Sequence, residues 1–154
     1  MAAALQIVAI GRLSLQLEPT FEHYRRLLGG LAPLTVREVR EVPLQGRSPG
    51  EVLRVEADRS LPHLDGARHV VALDVDGRHH TSLQFADWLQ RLTQGGPAAC
   101  VIGGSLGLDE RIKERADERL SLSPLTLPHQ LARVVLAEQL FRALKIARGE
   151  RYHH

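Results

Sequence analysis

The chain has 154 residues, of which 44% are hydrophobic and 25% are charged, and its formal net charge is +2. This length and composition predict one folded domain spanning residues 1–154, and they exclude wholesale disorder. Because 20 basic residues face 18 acidic ones, the net charge alone does not indicate a protein that binds polyanions.

The first third of the chain predicts two strands and two helices. Residues 5–10 form an apolar run with no basic segment before it, which predicts a buried strand rather than a signal peptide. Apolar residues at helical spacing over 21–28 predict a helix that ends at Gly29-Gly30. Residues 34–42 alternate irregularly, which indicates an edge strand. Pro49 and Pro62 bound a second predicted helix.

The middle of the chain carries sharper signals. The apolar run Val70-Val71-Ala72-Leu73, closed by Asp74 and Gly77, is typical of an internal strand of a parallel sheet. Thr81 and Gln84 are spaced as a capping box, which predicts the start of a helix that ends before Gly95-Gly96-Pro97. Residues 98–102 predict a fourth strand.

The last third predicts a short charged helix over 110–117 with Asp109 as its N-cap, a short strand near 119–122, and a long helix over 129–147. Strands and helices therefore alternate along the whole chain. This order predicts an α/β fold with a mainly parallel sheet flanked by helices and a long C-terminal helix.

Special residues exclude several kinds of protein. Cys100 is the one cysteine, which excludes an intrachain disulfide framework and favours a cytoplasmic location. The eight histidines include no HxH or HExxH pattern, so we predict no metal site. No apolar stretch approaches the roughly 18 residues of a membrane span, so we expect no association with a membrane.

A glycine cluster follows the fourth predicted strand. The sequence Gly103-Gly104-Ser105-Leu106-Gly107 would let the backbone approach a ligand at the carboxyl end of a sheet, or simply form a tight turn. The same residues fit the G-x-S-x-G pattern of a serine esterase, with Asp109 or Asp117 and then His129 in order. That set falls within 25 residues, which leaves no room for the strands of a hydrolase sheet.

The final helix and the loop before it are also unusual. Glu138, Arg142 and Lys145 form one narrow polar stripe, and nearly all other positions are apolar. Such a helix is either central or packed on a partner, and because terminal helices are seldom central we favour a symmetric dimer. The loop over 120–129 alternates leucines with hydroxyls, which suits an adenine-bearing ligand, although a plain connecting loop has the same composition.

These last features carry a resemblance. The chain closely resembles the ribosomal RNA large subunit methyltransferase H family, a member of the SPOUT class, over most of its length. The matching segments are Leu125-Thr126-Leu127-Pro128-His129, Arg133, Glu138-Gln139-Leu140-Phe141-Arg142-Ala143, Tyr152-His153, Val71-Ala72-Leu73-Asp74 and Ile102-Gly103-Gly104.

The resemblance implies an enzyme that uses S-adenosylmethionine to methylate N3 of a pseudouridine in large-subunit ribosomal RNA. It further implies a trefoil knot in the C-terminal half, a homodimer, and an assembled ribosome as the substrate. The residues that it places against the cofactor are Leu73, Gly103, Gly104, Leu122, Ser123, Pro124, Leu125, Thr126 and Leu127.

Three residues would be catalytic if the resemblance holds. Arg142, Tyr152 and His153 would close over the cofactor of the partner protomer. His153 is the candidate general base for the N3 proton, because an imidazole titrates near working pH. Arg142 would hold the anionic base or a phosphate.

The chain also departs from the family. Ser105-Leu106 stands where Pro-Glu is common, Phe141 replaces a tyrosine, His154 replaces a terminal cation, and residues 45–64 lack the usual lysines. These departures concern the docking of ribosomal RNA more than the cofactor, since phosphate contacts dominate RNA affinity. Two further readings are a non-catalytic ribosome-binding factor and a methyltransferase of the same fold with another RNA target.

Overall fold

The computed structural model of the chain describes residues 3–152. The strands are β1 (Leu5–Ile10), β2 (Leu34–Val39), β3 (His69–Arg78), β4 (Ala98–Ile102) and β5 (Glu118–Leu120). The helices are α1 (Glu18–Gly29), α2 (Pro49–Ser60), α3 (Ser82–Gln94), α4 (Glu110–Arg115) and α5 (His129–Ala147), and a 3-10 turn follows α2 over Leu61–Leu64.

The five strands form one sheet in the order β2-β1-β4-β3-β5, and all four pairs are parallel. The prediction of a mainly parallel sheet is therefore confirmed. β2 lies at one edge, as its irregular alternation indicated, and β3 is internal between β4 and β5. The carboxyl ends of all five strands consequently meet at the same edge of the sheet.

Helices cover both faces of the sheet. In β1, Ile7 and Ala9 pack in the core formed with α1, α3 and α5, whereas Val8 and Ile10 pack in a second core with α2 and α4. Each of these four side chains is at most 1% exposed. Strands buried on both faces read as continuous apolar runs, which is why the sequence signalled β1 and β4 so clearly.

The long C-terminal helix is central in its layer. α5 packs between α1 and α3. Its apolar residues belong to the core that these two helices form with the sheet. The premise that a terminal helix is seldom central is wrong here, because the chain returns to the middle of the sheet after β5. The width of the apolar surface of α5 is thus largely explained within one chain.

The predicted helix starts are confirmed. The Thr81 hydroxyl accepts a hydrogen bond from the Gln84 amide at 3.1 Å, and the Gln84 side-chain oxygen accepts one from the Thr81 amide at 2.9 Å. Asp109 caps α4 through the Arg111 amide at 2.8 Å. α4 ends earlier than predicted, because the Asp117 carboxylate accepts the Val70 amide at 2.8 Å and draws the chain into β5.

β3 is longer than predicted. The sequence indicated an end at Asp74, but the strand continues to Arg78, whose carbonyl accepts the Ser121 amide at 3.0 Å. Gly77 makes this possible, because a Cβ there would lie 2.7 Å from backbone atoms of Arg119 and Leu120. The extension of β3 and the end of β5 therefore pass in direct backbone contact.

The start of β5 is tied to α3 and β3 by one carboxylate. The indole Nε1 of Trp88 donates to Glu118 Oε1 at 2.7 Å, and His69 Nε2 lies 2.6 Å from Glu118 Oε2. Trp88 is only 6% exposed. These contacts fix the edge strand although it has just three residues.

None of the described helices is long and apolar enough to cross a membrane.

Candidate functional site

A cavity of about 400 Å³ opens at the carboxyl edge of the sheet. It lies between the ends of β3, β4 and β5, the loop over 121–128 and the first turn of α5. Ligands of open parallel sheets bind at this edge. The lining residues are Leu73, Asp74, Val75, Ile102, Gly103, Gly104, Ser105, Gly107, Leu120, Ser121, Leu122, Ser123, Leu125, Thr126, Leu127, Pro128, His129 and Ala132.

One wall of the cavity is bare backbone. The Gly107 amide donates to the Gly104 carbonyl at 3.0 Å, which closes the turn after β4. A Cβ on Gly103 would lie 2.4 Å from the carbonyl carbon and oxygen of Gly107. Gly107 itself has φ +81°, a conformation that favours glycine. The glycines are therefore required by the turn, and they leave main-chain atoms facing the cavity.

The opposite wall is the loop over 121–128, which two serines organise. Ser121 Oγ donates to the Ser123 carbonyl at 3.0 Å, and Ser123 Oγ accepts the Leu125 amide at 2.9 Å. Ser121 is buried, whereas the Leu125 side chain is largely exposed at the mouth of the cavity. The loop thus offers main-chain polar groups beside apolar side chains, as its composition indicated.

The cavity contains few ionisable groups. Asp74 supplies the one carboxylate among the described lining residues, and its side chain is 6% exposed. The Asp74 Oδ2 atom lies 3.6 Å from Lys113 Nζ and 3.7 Å from an Arg119 guanidinium nitrogen. His129 supplies the one imidazole of this lining. An otherwise uncharged lining suits a ligand held by shape and backbone hydrogen bonds.

The structure brings together most of the predicted cofactor-contacting residues. Those that line the cavity are Leu73, Gly103, Gly104, Leu122, Ser123, Leu125, Thr126 and Leu127. Pro124 belongs to the same loop, but it is exposed and lies outside the lining. Sequence reasoning did not assign Asp74 or His129 to the ligand, although both stand inside the matched segments.

The predicted catalytic residues lie elsewhere. Arg142 is 13 residues along α5 from His129 at the cavity, a separation of ~20 Å at 1.5 Å per residue. Tyr152 packs beside Arg142, so it is equally remote from the cavity of its own chain. His153 lies outside the described residues.

Arg142 and Tyr152 form a compact group with Glu138. Arg142 Nη2 and Nε donate to Glu138 Oε1 at 2.6 and 3.0 Å. The Arg142 guanidinium carbon lies 5.0 Å from the centre of the Tyr152 ring, which meets Phe141 edge-on at 4.9 Å. Burial first, and then the Glu138 charge, raise the pKa of Tyr152. The phenol therefore stays neutral. The segment after α5, which we call the tail, folds back onto the polar stripe of α5 at this group.

Arg133, a matched residue without a predicted role, is a buried anchor. Its guanidinium is 1% exposed and donates to Glu38 Oε2 at 2.6 Å and to the Gly11 carbonyl at 2.9 Å. It thereby joins α5 to the carboxyl ends of β1 and β2. The side chain of Ile10, just before Gly11, contacts Gly104 of the cavity wall.

The esterase reading finds no supporting geometry. Ser105 is exposed at the tip of the glycine turn, Asp109 caps α4, and Asp117 binds the Val70 amide. No hydrogen bond among the described residues joins Ser105 to His129. A nucleophile without a bonded base lacks the activation that such an enzyme needs.

No group of three or more histidine, cysteine or acidic side chains within residues 3–152 is arranged to hold a metal ion.

Comparison with known proteins gives consistent matches. A family model described as "Predicted SPOUT methyltransferase" matches residues 3–153. The chain is 50% identical to a protein of Rubrobacter xylanophilus named ribosomal RNA large subunit methyltransferase H, over 96% of each chain. It is 43% identical to a protein of the same name from an Anaeromyxobacter species, over 97% of this chain and 98% of that one.

Solved structures show the same fold at low identity. A probable methyltransferase from Bordetella pertussis superposes with a TM-score of 0.56 at 15% identity, covering 92% of this chain and 95% of that one. A probable methylase family protein from Haemophilus influenzae gives a TM-score of 0.55 at 13% identity, covering 97% of this chain and 70% of that one.

Proposed function

The chain belongs to the SPOUT methyltransferase family, and we propose that it methylates N3 of a pseudouridine in large-subunit ribosomal RNA, with S-adenosylmethionine as the methyl donor. We further propose that its substrate is the assembled ribosome in the cytoplasm. The names of the relatives support the RNA class, and the cavity at the carboxyl edge of the sheet is the observation that carries the proposal.

The cavity fits the proposed cofactor. The bare backbone of Gly103 and Gly104 and the loop over 121–127 would hold its adenine through main-chain hydrogen bonds and the apolar part of its methionine chain through leucine side chains. A Cβ at Gly103 would lie 2.4 Å from the Gly107 backbone, so glycine at this position is what lets the turn hold its main-chain atoms beside the cavity. Bound there, S-adenosylmethionine supplies an electrophilic methyl group. The protein then has to orient the base and remove one proton.

Arg142 on α5 and His153 after it perform these tasks. The N3–H proton of the base passes to the imidazole of His153, since imidazole is the side chain best matched to proton transfer at neutral pH. The guanidinium of Arg142 faces the resulting anionic base and stabilises it. Tyr152 orients Arg142, because its ring stacks beneath that guanidinium.

We propose that these residues act on the cavity of a second copy of the chain. The ~20 Å of helix between His129 and Arg142 keeps the tail from its own cavity, so a complete site requires a homodimer. We propose that each protomer, residues 1–154, is a single domain. A trefoil knot in the C-terminal half belongs to the same proposal, on the strength of the family resemblance.

Methyl transfer tests the proposed reaction. Ribosomes that lack the modification are incubated with labelled S-adenosylmethionine, with protein-free ribosomal RNA in parallel, and the nucleosides are analysed by mass spectrometry. We expect N3-methylpseudouridine from ribosomes only. Cofactor binding without transfer to either substrate would indicate another RNA target. Ribosome binding without cofactor binding would indicate the non-catalytic factor.

Mixed dimers test the shared site. Arg142→Gln removes the tail function and Gly103→Ala damages the cavity, whereas Arg91→Gln changes an exposed cation elsewhere and serves as the control. Each variant alone is inactive. An equal mixture after subunit exchange should regain about a quarter of wild-type activity, because half of the dimers are mixed and each has one intact site. If the mixture shows only the summed activities of the two separate variants, the tail acts on the cavity of its own chain.

A further inference from the structure

Three exposed arginines gather where β2 ends. Arg40 lies just beyond β2, Arg47 precedes α2, and Arg59 is in the last turn of α2. The Arg59 guanidinium donates to the Arg40 carbonyl at 2.9 Å, and the Arg47 guanidinium donates to the Pro43 carbonyl at 3.0 Å. We call these three residues the Arg40 cluster.

The backbone beneath the cluster is fixed. The Val42 amide donates to Glu56 Oε2 at 3.0 Å, and Glu56 on α2 is only 2% exposed. Together with the contact between Arg59 and Arg40, this bond clamps the segment over 40–43 onto α2. The backbone that carries Arg40 and the guanidinium groups of Arg47 and Arg59 are therefore held in place before any ligand arrives, which lowers the entropic cost of binding.

The cluster keeps its positive charge. The guanidinium groups of Arg47 and Arg59 donate to neutral carbonyls. Among the ion pairs of the described residues, none involves Arg40, Arg47 or Arg59. The nearest exposed acid in sequence, Glu41, turns its carboxylate toward Gly11 instead. By contrast, Arg25 pairs with Glu22 at 3.2 Å and Arg111 pairs with Asp58 at 2.9 Å. Guanidinium forks that form no ion pair are well suited to phosphate oxygens.

We propose that the Arg40 cluster docks the phosphate backbone of the ribosomal RNA strand that flanks the target nucleotide. This proposal rests on the proposed function. The cluster and the cavity lie at the same edge of the sheet, and β2 is two strand positions from β4. Two strand spacings are ~10 Å, which corresponds to about three nucleotides at 3.4 Å per step. An RNA strand whose target base enters the cavity would therefore place its neighbouring phosphates at the Arg40 cluster.

The salt dependence of binding tests the proposal. The triple variant R40Q/R47Q/R59Q loses the charges, R40K/R47K/R59K retains them, and R25Q removes an already paired arginine as the control. Binding to unmodified large subunits and to protein-free ribosomal RNA is measured across salt concentrations, together with cofactor affinity and thermal stability.

We expect the glutamine triple to bind RNA roughly ten-fold more weakly, with a log–log salt slope shallower by about 2, since each single-strand phosphate contact contributes ~0.7. Cofactor affinity stays at the wild-type value, and the lysine triple and R25Q keep the wild-type slope. An unchanged slope in the glutamine triple overturns the proposal. So does an equal loss in the lysine triple. Since binding is read without turnover, these outcomes are separate from failure of the methylation reaction.

Discussion

Replacing Gly103 with alanine tests whether the glycine turn shapes the cavity. The added Cβ would lie 2.4 Å from the carbonyl carbon and oxygen of Gly107, about 1 Å inside normal contact. Those atoms belong to the backbone, so no side chain can rotate away. Overpacking of this kind costs ~1–3 kcal/mol, and a displacement of about 1 Å in a site lowers a rate by roughly 10²-fold.

The assay combines urea unfolding, cofactor affinity by calorimetry and methyl transfer to ribosomes. Gly50→Ala is the matched control, because nothing lies within 4 Å of its added Cβ and alanine favours the helix. Gly104→Ala should be intermediate, since its Cβ meets only the Ile10 side chain, at 3.2 Å. A Gly103→Ala protein with wild-type cofactor affinity would refute the assignment of this turn to the cofactor.

Three further predictions concern buried groups. Glu38→Gln should destabilise the fold by ~1–2 kcal/mol in urea unfolding, because the buried Arg133 cation loses its charged partner while the 44% exposure of Glu38 screens part of the pair. Arg133→Met should cost less, because solvent can take the place of the guanidinium at Glu38. A larger loss for Arg133→Met would contradict this reasoning. Burial raises the pKa of Glu56 above 4.5, so the stability that this group contributes below pH 4.5 is lost as the pH rises through the raised pKa. In Glu56→Gln, which has no titrating group at this position, this loss of unfolding free energy with rising pH should be absent. Burial raises the pKa of the Cys100 thiol to about 12, so Ellman's reagent should label it at pH 8 only after unfolding, and rapid labelling of native protein would show an accessible thiolate.

A strand was predictable from the sequence where both of its faces are buried, and a helix start was predictable where a capping side chain precedes it. The run Val70-Val71-Ala72-Leu73 and the Thr81–Gln84 capping box carry such signals, and the structure confirms both. The family was also predictable, because its motif in the C-terminal helix is long and specific. The loop over 121–128 was recognisable from its leucines, hydroxyls and prolines.

Other features depend on contacts between distant segments and leave no local signal. The extension of β3 through Gly77 depends on β5, which follows about 40 residues later. Asp74 joins the cavity because Lys113 and Arg119 approach from α4 and β5. The buried guanidinium of Arg133 is explained only by Glu38 and Gly11, which no helical periodicity can bring to it.

The bond between Trp88 and Glu118 has a practical consequence. Trp88 is the one tryptophan of the chain, and its indole is hydrogen-bonded to the first residue of the last strand. Its fluorescence therefore responds to the seating of β5 against α3 and to the packing of His80 and Phe85 on the indole, while circular dichroism follows the helices. Because β5 leads directly into the loop over 121–128, the change in Trp88 fluorescence during refolding follows the formation of this cavity wall without any added label.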